Sequence, residues 1–221
     1  MLTQIYGLTT VRDALAVDRL RPDHIGVVVD EGIGTWDSVD PVTGVAIARS
    51  VEHARVVALS LSTDPERIVA TCDLLHPAIL HLARAHLIST DTLASIRELV
   101  GPTQLMLTVP VENDGARTIA SRLAELADFL LLDSAHPATG VVGATGLVHD
   151  WAISARIVEQ VDCITLLAGG LGPENVAEAI RAVGPGGVDS ETRTSRDDDR
   201  RRKDLSKVEM FLTEASRPTI V

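Results

Sequence analysis

Two hydrophobic rhythms alternate along the chain. Short runs of consecutive apolar residues, such as Ile25–Val29 (IGVVV) and Phe129–Leu132 (FLLL), read as strands covered on both faces. A half-exposed strand would instead alternate apolar with polar positions. Between these runs the apolar positions recur every three or four residues. Over Thr10–Leu20 they are Val11, Ala14, Leu15 and Val17, one face of a helix.

The first rhythm predicts eight strands, at Thr3–Tyr6, His24–Val29, Arg55–Leu61, Ala78–Leu82, Thr103–Val109, Asp128–Asp133, Cys163–Ala168 and about Gly187–Ser190. The second predicts helices starting near Thr10, Pro41, Asp64, Ser89, Asp114, His149, Pro173 and Asp204. Asp64 suits an N-cap and Pro65 the first helical position. Strand–helix alternation means an α/β fold with a parallel sheet. Eight units in 221 residues predict one domain, a (β/α)8 TIM barrel over residues 1–221, with an open doubly wound sheet as the alternative. No G-x-G-x-x-G follows the first strand, which weighs against a dinucleotide site.

Composition narrows the functional classes. The chain is 45% hydrophobic but only 2% aromatic, so its core is aliphatic. A formal charge of -11 disfavours nucleic acid, which needs basic patches, yet backbone N–H groups can still bind phosphate. No apolar run is long enough to span a bilayer, and the N-terminus lacks the pattern of a signal peptide, so the expectation is a cytoplasmic protein with no membrane partner. Cys72 and Cys163 read as buried thiols in a reducing compartment.

In a barrel of this type the chemistry belongs at the C-terminal ends of the strands. That rule selects Tyr6, Asp30, His81, Asp133, Gly169–Gly170 and the segment Asp189–Thr192. Asp133 follows four apolar residues, and partial desolvation there would raise its pKa and suit it to general acid work. The Gly169–Gly170 pair, ahead of a helix near Pro173, would make a phosphate cradle. In the loop after strand eight, Ser190, Thr192, Arg193 and Thr194 would offer hydroxyls and a guanidinium to the same phosphate.

Three stretches, QIYGLTTVRDA, LLLDS…GATGLVHDW and LLAGGLGPENVAEAI, resemble the first, sixth and seventh strand–loop regions of phosphoribosylanthranilate isomerase, a tryptophan-pathway enzyme family. The resemblance spans essentially the whole chain. It implies a cofactor-free Amadori rearrangement of a phosphorylated sugar amine, with Asp133 as general acid on the ribose ring oxygen. The family's general base, a cysteine in strand one, falls on Tyr6. A phenol with its ordinary pKa near 10 is about 0.1% ionised at pH 7, against a thiol near 8.5. The loop after strand two reads GIGTWDS without the family's carboxylate-binding arginine, and Asp30, Glu31 and Asp37 make it acidic. HLAR stands where the family has QLHG, and no glycine occurs in DSETRTSR after strand eight. These departures point to a member of the family acting on a phosphorylated small molecule, with anthranilate as aglycone disfavoured and Asp30 or His81 as the alternative base.

Two other readings stay open. Asp30, His81, Asp133 and Asp189 are ligand types for a divalent metal, as in barrel phosphosugar epimerases or aldolases, although no metal is assigned. A barrel that binds a ligand without chemistry is the other. A homodimer is an open assembly. Of the remaining features, Trp36 caps a ligand or anchors its loop, Trp151 packs, His136 and His149 flank a glycine-rich loop, and DDDRRRKD (197–204) reads as a solvated, self-neutralising run.

Overall fold

The computed structural model describes residues 1–29, 32, 34–134 and 149–217. Asp30, Glu31 and His136 lie outside the described residues. The strands are β1 (Leu2–Ile5), β2 (His24–Val29), β3 (Arg55–Ser60), β4 (Ile79–Leu82), β5 (Gln104–Pro110), β6 (Phe129–Asp133), β7 (Ile164–Leu167) and β8 (Gly187–Ser190). Each pairs in parallel with the next, and β1 pairs with both β2 and β8, so the sheet closes into the expected barrel rather than the open alternative. A two-residue strand, Ser38–Val39, extends the rim beside the end of β2.

The outer ring is α1 (Val11–Asp18), α2 (Pro41–Ser50), α3 (Pro65–Leu75), α4 (Thr90–Leu99), α5 (Ala116–Ala124), α6 (Trp151–Gln160), α7 (Val176–Val183) and α8 (Leu205–Ala215). Thr10, Asp40, Asp64, Ser89, Asp150 and Asp204 cap their helices by accepting a backbone N–H, each worth about 1 kcal/mol. One start differs from expectation: α7 begins at Val176, not near Pro173. The Asn175 side chain takes the Gly172 N–H at 2.8 Å and bends Gly172–Asn175 into a turn first. Trp151 packs against the outer core as expected.

Two apolar layers result. The larger lies between strands and helices and includes Ile5, Ile25, Leu80, Leu105, Leu130 and Val188. The smaller fills the barrel lumen with Tyr6, Val28, Val57, Ile79, Met106, Phe129, Leu131, Leu166 and Ala168. Because side chains alternate along a strand, residues two apart share the lumen. Polar Gln4, His24, His81, Thr108, Asp133 and Asp189 are therefore brought into the same interior, all buried. Among the described residues no helix is long and apolar enough to cross a membrane, and both cysteines are free thiols.

Candidate active site

Tyr6 follows β1 and its N–H donates to Ser190 O on β8 at 3.0 Å. Its ring turns into the lumen and occupies the space that Gly26 leaves on β2. A Cβ on Gly26 would lie 2.3 Å from Tyr6 Cδ1. The phenol oxygen is 2.7 Å from His81 Nδ1, and His81 Nε2 is 2.6 Å from Thr108 Oγ1. This chain of contacts crosses the lumen from β1 to β4 and β5. Burial, with the charges of Asp189, Glu191 and Asp37, holds the Tyr6 pKa well above 10. Burial alone pushes His81 down to about 3. At neutral pH both groups are uncharged. With the phenol donating to Nδ1, the imidazole spends its own proton on Thr108.

The mouth of the barrel is acidic. Asp133, at the end of β6, is 8% exposed, and its Oδ1 accepts the Ser134 N–H at 2.7 Å. Burial outweighs that bond and lifts its pKa to about 7. Asp189, on β8, accepts from Gln4 Nε2 at 3.1 Å, and Gln4 Oε1 lies 3.1 Å from His24 Nδ1. Burial, then the charge of Asp133, raises Asp189 to about 8. Two carboxyls thus titrate near neutrality within reach of each other's field. Glu191 is raised by burial and by the charge of Asp37. Lys203 faces this group, pushed down to about 8 by burial, and its amine donates to Glu191 O (2.8 Å) and Ser195 Oγ (3.0 Å).

Of the candidate phosphate ligands, Gly169 and Gly170 both adopt positive φ, +79° and +62°, a run of backbone that favours glycine. Their N–H groups meet no protein acceptor among the described residues. The Gly170 carbonyl is held by Asn175 Nδ2 at 3.0 Å. A Cβ on Gly169 would approach Ser134 Oγ and His149 Nδ1, each at 3.0 Å, so the glycine pair borders the residue after Asp133. Ser190 is buried and donates its hydroxyl proton to Leu171 O at 2.7 Å, tying β8 to this loop. Thr192 is half-buried in a short 3-10 turn, and Arg193 is exposed and paired with Glu174. Both of these line a groove between that turn and α8.

Several site residues escaped the sequence reading. Gln4, His24 and Lys203 carried no motif, and only the two-residue parity with Tyr6 would have pointed Gln4 inward. The run DDDRRRKD is not simply solvated. Arg200 stacks over the Trp36 ring at 4.5 Å, and Arg201 donates to Trp36 O and Ser38 O. Arg202 makes a two-pronged pair with Asp13 at 2.7 and 2.8 Å, and Lys203 is buried. Trp36 is therefore a loop anchor. As for metal, both His81 nitrogens are engaged by protein, and among the described residues no three His, Cys, Asp or Glu side chains gather as a ligand set.

Comparison with known proteins agrees with this architecture. The family model described as N-(5′phosphoribosyl)anthranilate (PRA) isomerase matches residues 35–213. N-(5′-phosphoribosyl)anthranilate isomerase of Methanocella arvoryzae is 34% identical over 213 residues, covering 95% of each chain. N-(5′-phosphoribosyl)anthranilate isomerase 2 of Methanosarcina mazei is 32% identical over 191 residues, 86% of this chain and 84% of that one. Among solved structures, phosphoribosyl anthranilate isomerase of Thermotoga maritima superposes with a TM-score of 0.81 at 23% identity, covering 97% of this chain and 98% of its own.

Proposed function

This chain belongs to the N-(5′-phosphoribosyl)anthranilate isomerase family, and from that premise we propose that it is a single-domain, cofactor-free isomerase that converts a phosphorylated aldosylamine into the corresponding aminoketose. The observation that carries the reading is Asp133. It is a buried carboxyl at the C-terminal mouth of the barrel whose pKa of about 7 lets it hold a proton under working conditions. In the proposed reaction Asp133 protonates the ribose ring oxygen as the C1–O bond opens. The 5′-phosphate rests on the Gly169–Gly170 backbone. Ser190, Thr192 and Arg193 shape the turn beside it. Tyr6 and His81 form the uncharged floor of the site.

The aglycone end differs from the family pattern. No arginine occurs between Gly32 and Ser38, and buried Asp37 adds negative charge there. An anthranilate carboxylate would find no arginine in this loop, only Arg200 and Arg201 already engaged with Trp36 and Ser38, and the Asp37 charge beside them, so turnover of N-(5′-phosphoribosyl)anthranilate should be slow, with a high KM. The experiment is turnover of that compound, formed in situ, beside phosphoribosyl amines bearing a neutral or cationic aglycone. Asp133→Asn should lower kcat by roughly 10²–10⁴-fold, because an amide cannot give the proton. Undiminished turnover in that variant would overturn the reading. We extend the proposal to a cytoplasmic homodimer: the free thiols suit a reducing compartment, and sedimentation velocity on the purified chain reads the assembly.

A further inference from the structure

We propose that Asp189 is the base that takes the substrate C2 proton in this chain, replacing the strand-one group whose position Tyr6 fills. The inference rests on the isomerase reading above and assigns it a residue.

The strand-one position is closed to that task. The Tyr6 hydroxyl is occupied by His81 at 2.7 Å, and its ring is wedged against Gly26. Asp189 stands on the adjoining strand. Its register partner on β1 is Gln4, two residues before Tyr6 and so on the same lumen-facing side. The carboxylate therefore enters the same lumen from the next strand, at the level of Gln4. One of its oxygens is held by Gln4 Nε2 at 3.1 Å, and Gln4 is itself held by His24 Nδ1. The other oxygen accepts no hydrogen bond among the described residues. A carboxylate with one oxygen positioned and one open is what proton abstraction requires.

Electrostatics couples Asp189 to a second carboxyl. The groups facing Asp189 are Asp133 from β6, Tyr6 and Gln4 from β1, and Lys203 from the loop after β8, with Glu191 just beyond. Burial raises Asp133 to about 7 and Asp189 to about 8, so the pair gives up its protons in two steps near neutrality, and the base role draws on the minor singly protonated form in which Asp133 keeps the proton and Asp189 is ionised. One member can serve as acid while the other serves as base.

The steps balance without a co-reactant. Asp133 protonates the ring oxygen, the C1–O bond breaks, and the amine lone pair forms C1=N. Asp189 removes the C2 proton. The C–H electron pair becomes C1=C2, and the C1=N pair returns to nitrogen. The C2 hydroxyl proton then leaves to solvent, from which Asp133 regains the proton it gave, and the ketone forms as C1 receives the proton held by Asp189.

The test uses the full chain with N-(5′-phosphoribosyl)anthranilate formed in situ, unlabelled and deuterated at C2. Asp189→Asn should lose roughly 10²–10⁴-fold in kcat with KM changed only a few-fold, and its residual pH profile should lack the ascending limb. Formate should restore part of the activity of Asp189→Ala, which a merely structural aspartate would not permit. A kcat for Asp189→Asn within about fivefold of the unaltered enzyme, with Asp133→Asn inactive, would overturn the base assignment and leave the isomerase reading standing. No turnover by the unaltered chain of this compound or of phosphoribosyl amines bearing a neutral or cationic aglycone would overturn both. If Asp189→Asn does not melt cooperatively, Asp189→Glu decides. A larger C2-deuterium isotope effect at similar KM supports the assignment, and an unchanged one overturns it.

Discussion

Tyr6 and Gly26 are a matched pair: a ring on one strand uses the volume that a missing side chain leaves on the next. Gly26 needs no special φ. It is there because a Cβ would sit inside the phenol ring's contact radius. Gly26→Ala should destabilise the protein by about 1–3 kcal/mol, as overpacking does, and the loss should be largely absent when Tyr6 is Ala. Additive losses in a double-mutant cycle of melting curves would refute the pairing. At this scale the sequence was half legible. Asp133 could be found because an acid ending an unbroken apolar run has one place to go in a parallel barrel. Asp189 was reached by the same strand-end rule, but Gln4 and His24 could not be, because a polar residue inside a strand ordinarily signals a solvent-facing position. Only closure of the sheet turns that face into a wet, shared interior.

Strands and helices were read almost completely, since each follows from local periodicity and capping. The exceptions arise where a side chain captures backbone from outside its element. Asn175 delays α7 in this way, and it also holds Gly170, so the cradle is set by a turn rather than by the helix end. Gly170→Val should cost about 1–2 kcal/mol in backbone strain at φ +62° and weaken inorganic phosphate binding at least tenfold by calorimetry. Unchanged affinity would remove the glycine pair from the site. The segment Arg200–Lys203 shows the same limit: an isolated charge run looks solvated when its partners, Asp13 and Trp36, lie far away in sequence. Burial pushes the Asp13 carboxyl up, but Arg202 and the Lys203 N–H outweigh it and hold the group below 3.8. Its contribution is therefore present above the unfolded value and lost as the pH falls through the folded one. Arg202→Ala should lower stability by about 1–3 kcal/mol at pH 7, and the deficit should shrink as the pH falls below 3.8 in denaturant titrations.

For the molecule as a whole, the buried titratable groups set a pH dependence of stability. Asp133 and Asp189 have folded pKa values raised from 3.8 to about 7 and about 8. Their contribution is full below 3.8 and is lost as the pH climbs to those values. His24, His81 and His149 run the opposite way, lowered by burial from 6.5 to about 4, about 3 and about 4. They contribute above 6.5 and withdraw that support on acidification. The two sets oppose between pH 4 and 6.5, and above 6.5 only the carboxyls continue to change. Tm should therefore fall from pH 6.5 to 8. Asp133→Asn should flatten that slope and melt higher at pH 8, by about 2–4 °C per kcal/mol regained. A variant melting at or below the unaltered protein there would show that the carboxyl is not held at a cost. The ring that encloses these groups is also a matter of timing. Asp13 and Arg202 are 189 residues apart, and β1 needs β8 for one of its two ladders. During synthesis the first strand emerges early and keeps an open edge until the last unit leaves the ribosome. Nascent chains ending before Gly187 should thus remain protease-sensitive and prone to sticking, and guarding that edge is a task for whatever meets the chain at the exit tunnel.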